Sequence, residues 1–296
     1  KTVFDEADRL GMTCDLIIGS GWPFGAEYLP REDRASVMLT YAEKLKGGTH
    51  YESSKYNLLC QSDPGVTIVN PRRSARVVSI LLAPDPISDI SEVRDLSEFF
   101  KDKDIISLDI PEQGDWCLYV MSRFDSFASV IHGAPGASGS ILNHMDSGAV
   151  LRYLNHMADA IEGRIGPLSR YLRSFFVDSM ELEGCNWTKD FAEEFERRRG
   201  YDIMPWLPLI MFKVGRLGEV TDYRFGADKT EQFQEELNRV RFDFELTKAE
   251  LLHERYTETF LAWCREKGVK SRAQAYGRGF FPLESSLGYD IPEGES

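Results

Sequence analysis

The sequence predicts an α/β protein: a partial (β/α)8 TIM-type barrel with an inserted β-sandwich-like region. Three observations carry this. Buried apolar strand runs alternate with helical segments, the pattern of parallel βα units. Between residues 30 and 115 the texture changes to β-formers punctuated by turn residues. Finally, the run Leu172-Arg-Ser-Phe-Phe-Val177 ends in two carboxylates, Glu181 and Glu183, and a helix follows. The predicted organisation is a barrel segment at 1–29, a β-rich insertion at 30–115, and a second barrel segment at 116–296 that carries the acidic site.

Val3 to Gly11 reads as a helix feeding a short buried strand within Met12–Gly21, and Trp22-Pro-Phe-Gly25 turns out of it. Ala35–Tyr41, Gly65–Asn70 and Ala75–Leu82 alternate or cluster β-formers, which places them in the insertion. The continuous apolar run Trp116–Phe124 reads as a return to the buried parallel sheet. A Gly/Ala/Ser/Pro loop at 133–140 lacks a following GK[ST] and so is no phosphate cradle. Asn143-His-Met-Asp146 leads into a helix over Ser147–Glu162, with Val150, Leu151, Leu154, Met157, Ala158 and Ile161 on one stripe.

The Leu172 run has the profile of a strand buried on both faces. Strand alternation, if it persists, points Glu181 and Glu183 the same way. Thr188 is a candidate N-cap for the helix beyond. Phe191 and Phe195 stand at i and i+4, three arginines close the last turn and Gly200 ends it. Residues 229–267 form a long helix by their three- and four-residue apolar steps, and Gly268 stops it. Val269–Gly277 is another buried strand. Asp290-Ile-Pro-Glu293-Gly-Glu295 begins a further strand or is its acidic end. Four or five such strands fall short of the eight a closed barrel needs.

Composition bounds the function. The 296 residues carry 48 acidic and 35 basic side chains, net −13, which disfavours nucleic acid and anionic membrane as partners. No apolar run is long enough to insert in a membrane. The five cysteines are scattered and contain no CxxC pair, so neither a zinc site nor a disulfide framework is indicated. An acidic, aromatic-rich chain suits a neutral polar ligand such as a sugar.

Paired carboxylates suggest glycoside cleavage, in which one acid protonates the leaving oxygen and a second carboxylate works from the other side of the ring. Two glutamates two residues apart are too close to flank a sugar, so they divide the work. One acts as acid, its pKa raised by burial and by its neighbour; the other holds a hard cation or a sugar hydroxyl. Trp187 is a candidate stacking platform or packs beneath the loop. Asn186 lies beside it. Arg272 and Gln274 either reach sugar hydroxyls or are satisfied by neighbouring strands. His144 is a candidate at the pocket, with a surface or capping role as the alternative. Asp178 is a candidate structural hydrogen-bond partner.

Arg173 to Gly184, Phe191 to Asp202, Leu142-Asn-His-Met-Asp146, Arg272 to Gly277 and Asp290 to Glu295 together resemble glycoside hydrolase family 106, the α-L-rhamnosidases. The resemblance runs across most of residues 1–27 and 105–296. It implies a (β/α)8 catalytic domain, an inverting mechanism, a calcium ion (Ca2+) touching sugar hydroxyls, an oligosaccharide or polysaccharide substrate of plant origin, and a secreted or periplasmic bacterial protein. Carried over by position, Glu183 is implied as general acid. Glu181 is implied as a calcium ligand, with Glu293 or its competitor Glu295 as a second. The family's general base lies on a later barrel strand, so none is assigned here. This chain also has Met180 and Tyr276 where the family has Tyr and His.

Overall fold

The computed structural model describes residues 1–19, 21–62, 75–125, 129–182, 185–214, 220–274 and 286–294. The chain divides into two compact units. The first comprises Lys1–Ala35, Ala128–Thr188 and Lys248–Ser296, and the second Ser36–Phe127 and Lys189–Thr247.

The first unit is built on four parallel strands in the order Cys14–Ile17, Leu172–Val177, Lys270–Gln274, Ile291–Glu293. Spatial order follows chain order, and helices lie between the first and second and between the second and third strands, which is the βα arrangement the alternation predicts. One face of this sheet is dry. Phe175, Val177, Ser271 and Ala273 are buried there, and the Phe175 ring stands 4.7 Å from that of Trp263 on the Glu258–Glu266 helix. Trp263 Nε1 in turn donates to Asn155 Oδ1 of the Ser147–Ile165 helix at 2.9 Å, so two helices and a strand meet at one indole. Among the described residues the sheet is open. The closed barrel is not seen.

Local chemistry sets the helix ends. Asp146 caps the Ser147–Ile165 helix by accepting from Ala149 N at 3.1 Å. Its buried face is Ala149, Val150, Tyr153, Leu154 and Ala158; Leu151, assigned to that stripe from sequence, is exposed. Asp290 takes the Ser271 amide at 2.8 Å and the Ser271 hydroxyl at 2.9 Å, pinning the approach to the last strand. Asp290 is therefore a structural group. The long helical stretch consists of Glu231–Leu252, one π-turn at His253–Thr257 and Glu258–Glu266, with helical backbone angles on both sides of the turn.

The second unit holds a four-stranded antiparallel sheet in the order Val37–Lys46, Asp115–Phe124, Ala75–Asp85, Arg94–Asp95. His50–Ser54 pairs separately with Ile105–Asp109. Both sheets contribute to one core of Leu58, Ile80, Leu82, Phe100, Ile106, Ile110, Trp116, Leu118 and Val120. This corrects the reading of 116–124: the strand lies at the centre of the antiparallel sheet, not in the parallel one. A strand covered on both faces is apolar throughout in either setting, so its composition does not tell them apart. The Phe191–Arg199 helix also falls in this unit. Phe191 and Phe195 are fully buried, and Gly200 closes the helix in the left-handed conformation (φ 84°, ψ 13°) that glycine adopts without penalty.

Candidate functional site

The Leu172–Val177 strand delivers the acidic segment. Immediately beyond it Asp178 Oδ1 accepts from Ser179 N at 2.8 Å, a local turn contact that fits the structural role expected of Asp178. The Ser179 carbonyl accepts from Trp22 Nε1 at 3.0 Å, tying this exit to the loop after the first strand. Met180 and Leu182 are buried and Glu181 between them is half-buried. Cys185 N returns to the Leu182 carbonyl at 2.8 Å. Glu183 and Glu295 lie outside the described residues.

The other candidates fall in distinct surroundings. Trp187 is 5% exposed, which leaves little of its ring open for a sugar to stack on. Asn186 is half-buried beside it. Thr188 does not cap the next helix: Asp190 takes the cap position without a side-chain cap hydrogen bond, and the buried Thr188 hydroxyl accepts from Asn143 Nδ2 at 2.9 Å. Gln274 ends its strand half-buried, in register with Glu293.

Arg272 is committed to carboxylates. Its Nε donates to Glu293 Oε1 at 2.8 Å and its Nη1 to Asp15 Oδ2 at 2.7 Å. Asp15 also takes both Arg173 Nε, at 3.0 Å, and Arg173 Nη2. Arg173 foremost, with Ser174 and Arg272, holds the Asp15 carboxyl well down, to about 2, against the opposing effect of burial. Sequence reasoning singled out Arg272 and Glu293 separately and missed Asp15 and Arg173. The signal that points to them is a charged residue at an interior position of a short, otherwise apolar strand, where a partner is needed.

These contacts also test the calcium expectation. Ca2+ needs several oxygen ligands around one point. Among the described residues no three Asp, Glu, His or Cys side chains gather to hold an ion, and the carboxylate of Glu293 is engaged by a guanidinium. The described residues do not fit a calcium site at Glu293.

His144 is enclosed, neither a surface nor a capping residue. Its Nδ1–H donates to the Leu142 carbonyl at 2.8 Å, while Nε2 has no hydrogen-bond partner among the described residues. Tyr256 and Phe24 flank the ring at 4.9 and 6.3 Å. Burial pushes its pKa down to about 4, against the smaller opposing pull of the carbonyl. The folded imidazole is therefore neutral, whereas the unfolded one takes a proton near its ordinary pKa of about 6.5. The sign follows: the unfolded state binds more protons below that value, so stability is full above about pH 6.5 and falls as the pH drops towards 4. The whole effect is about 3 kcal/mol, from the separation of the two pKa values. Urea unfolding of the wild type and of His144→Phe between pH 7 and pH 4.5 should show the wild type losing more stability. Equal losses would assign the acid sensitivity to other groups.

In class, the chain belongs with the glycoside hydrolase families. The family profile described as alpha-L-rhamnosidase matches residues 71–290, well over half its length, and the chain belongs to glycoside hydrolase family 106. A putative beta-glucuronidase of Formosa agariphila is 25% identical over 202 residues, 68% of this chain and 16% of that protein. A rhamnosidase from Novosphingobium sp. PP1Y has the same fold, with a TM-score of 0.56 at 16% identity, over 94% of this chain and 40% of that one. The chain thus spans well under half the length of either protein.

Proposed function

We propose that this chain forms the acid-bearing part of an inverting α-L-rhamnosidase that removes terminal rhamnose from a plant polysaccharide or glycoside outside the cytoplasm. One observation carries the reading. The family match runs through the Leu172–Val177 strand and the acidic segment it feeds, the place where a glycosidase needs a carboxylic acid. In this reading the parallel sheet is a segment of a (β/α)8 barrel, whose strand ends carry the catalytic loops. Glu183 protonates the departing oxygen. The opposing carboxylate, which activates water from the other face of the ring, is assigned to no residue of 1–296. Glu181, Asn186 and Gln274 are the candidates for substrate contact or, for Glu181, for calcium. Calcium rests on the resemblance alone, through Glu181 and Glu295.

The Formosa agariphila relative favours a second specificity, cleavage of a β-glucuronide, on the same scaffold. A glucuronide carries a carboxylate that calls for a free cation in the pocket. Arg272, the arginine among the site candidates, is already paired with Asp15 and Glu293, which favours the neutral sugar. The test is a panel of aryl glycosides offered to the protein as encoded. Turnover of the α-L-rhamnoside in preference to the β-D-glucuronide by at least about a hundredfold is the expected result, the size of discrimination that one well-placed polar contact supplies. Preference for the glucuronide would replace the first specificity with the second. Binding of rhamnose with no turnover of any member would reduce the protein to a carbohydrate-binding role.

A further inference from the structure

Glu293 is implied by family position as a calcium ligand, yet its surroundings describe a different device. Arg272 lies on the third strand of the parallel sheet. Its guanidinium extends over the second strand, 4.9 Å from the ring centre of Phe176, to reach Asp15 on the first. From the same guanidinium, Nε and Nη2 reach Glu293 on the fourth strand at 2.8 and 2.5 Å. Arg173 of the second strand adds its own fork to Asp15. The four groups alternate in charge and cancel. Three of the side chains are partly drawn out of bulk water: Asp15 is 10% exposed, Arg272 28% and Glu293 29%, while Arg173 remains 46% exposed.

We propose that Arg173, Asp15, Arg272 and Glu293 form an ion-pair ladder across all four parallel strands, with Arg272 as its hub, and that Glu293 serves this ladder and not a metal. Two physical points support the assignment. Both short contacts from Arg272 land on one oxygen of Glu293. A calcium ion on the other oxygen would then share one carboxylate with the guanidinium and stand within roughly 7 Å of it, given calcium–oxygen distances of about 2.3–2.6 Å. Two cations at that separation repel strongly in a partly desolvated setting. The strands themselves are short, between three and six residues, so backbone pairing fixes their relative height weakly. A guanidinium spanning three of them sets that height directly, and with it the heights at which the segments containing Glu181 and Glu293 leave the sheet. This role is independent of which glycoside is cleaved.

The test is a double-mutant cycle on the protein as encoded, with calcium titration alongside. Glu293→Gln and Arg272→Met should each lower the urea midpoint. The double variant should lose little more than the worse single one, a coupling of about fivefold or more in the unfolding constant. Arg272→Lys, which keeps the charge but lacks the fork, should fall between wild type and Arg272→Met. It stands in for Arg272→Met should that variant fail to fold. Whatever calcium does to the wild-type melting temperature, Glu293→Gln should leave that response unchanged. Additive single losses would remove the ladder. A calcium-induced rise in the wild type that disappears in Glu293→Gln would make Glu293 a metal ligand and overturn the proposal.

Discussion

Replacing Glu183 by Gln in the protein as encoded is expected to lower kcat on a natural rhamnoside by about 10²–10⁴-fold while leaving sugar binding nearly intact. Gln keeps the size and polarity of the side chain and removes the proton that the leaving oxygen needs. An alkoxide leaves poorly without that proton, so the loss falls on kcat and not on KM. The same argument grades the loss by leaving group. An aryl rhamnoside with an acidic phenol departs with little help, so its turnover should fall much less than that of an alkyl rhamnoside. A carboxylate acting as nucleophile or as metal ligand would not produce that gradient. Kinetics on a matched pair of aryl and alkyl substrates therefore tests the role and not merely the importance of the residue. An equal fall on both, or retained turnover of the alkyl substrate, would withdraw Glu183 as the acid.

What the sequence revealed, and what it hid, follows from the range of the forces involved. The Leu172 strand, the Ser147 helix and the left-handed stop at Gly200 are each specified within a dozen residues, by periodicity or a single cap. The strand at 116–124 was equally visible as a strand, but its sheet was not: with both faces covered, nothing in its side chains records which neighbours it pairs with. Thr188 obeyed the capping rule locally and was overridden by Asn143, 45 residues away. The ion-pair ladder is the extreme case. Arg272 and Asp15 are 257 residues apart, and no local pattern encodes their meeting. Their trace in the sequence is only that a short strand carries a charge where an apolar residue would be easier to bury. At the site itself, the carboxylates were legible as chemistry. The commitment of Arg272 was not, because availability depends on partners from other strands.

The largest loss of stability is expected at Trp263, and it shows how the sheet behind the site is held. The indole is 2% exposed and packs against Phe175 at 4.7 Å and Phe260 at 6.5 Å. Its Nε1–H is the partner of Asn155 Oδ1. Trp263→Ala removes a large aromatic volume from a close-packed interior and loses the bond to the solvent-exposed Asn155 carbonyl, a combined cost of about 3–5 kcal/mol. Trp263→Phe keeps most of the ring and loses the hydrogen bond to an exposed partner, so it should cost about 0.5–1.5 kcal/mol. The order of the two separates packing from hydrogen bonding. If the indole is mainly a filler, Phe recovers most of the loss; if it is mainly a donor, Phe recovers little. Urea unfolding of both variants measures this directly. A loss below about 1.5 kcal/mol for Trp263→Ala would mean that the helices and the Leu172 strand do not share this core. That strand ends at Val177, four residues before Glu181. A loosened Trp263 contact should therefore lower the activity of the encoded protein before the chain unfolds.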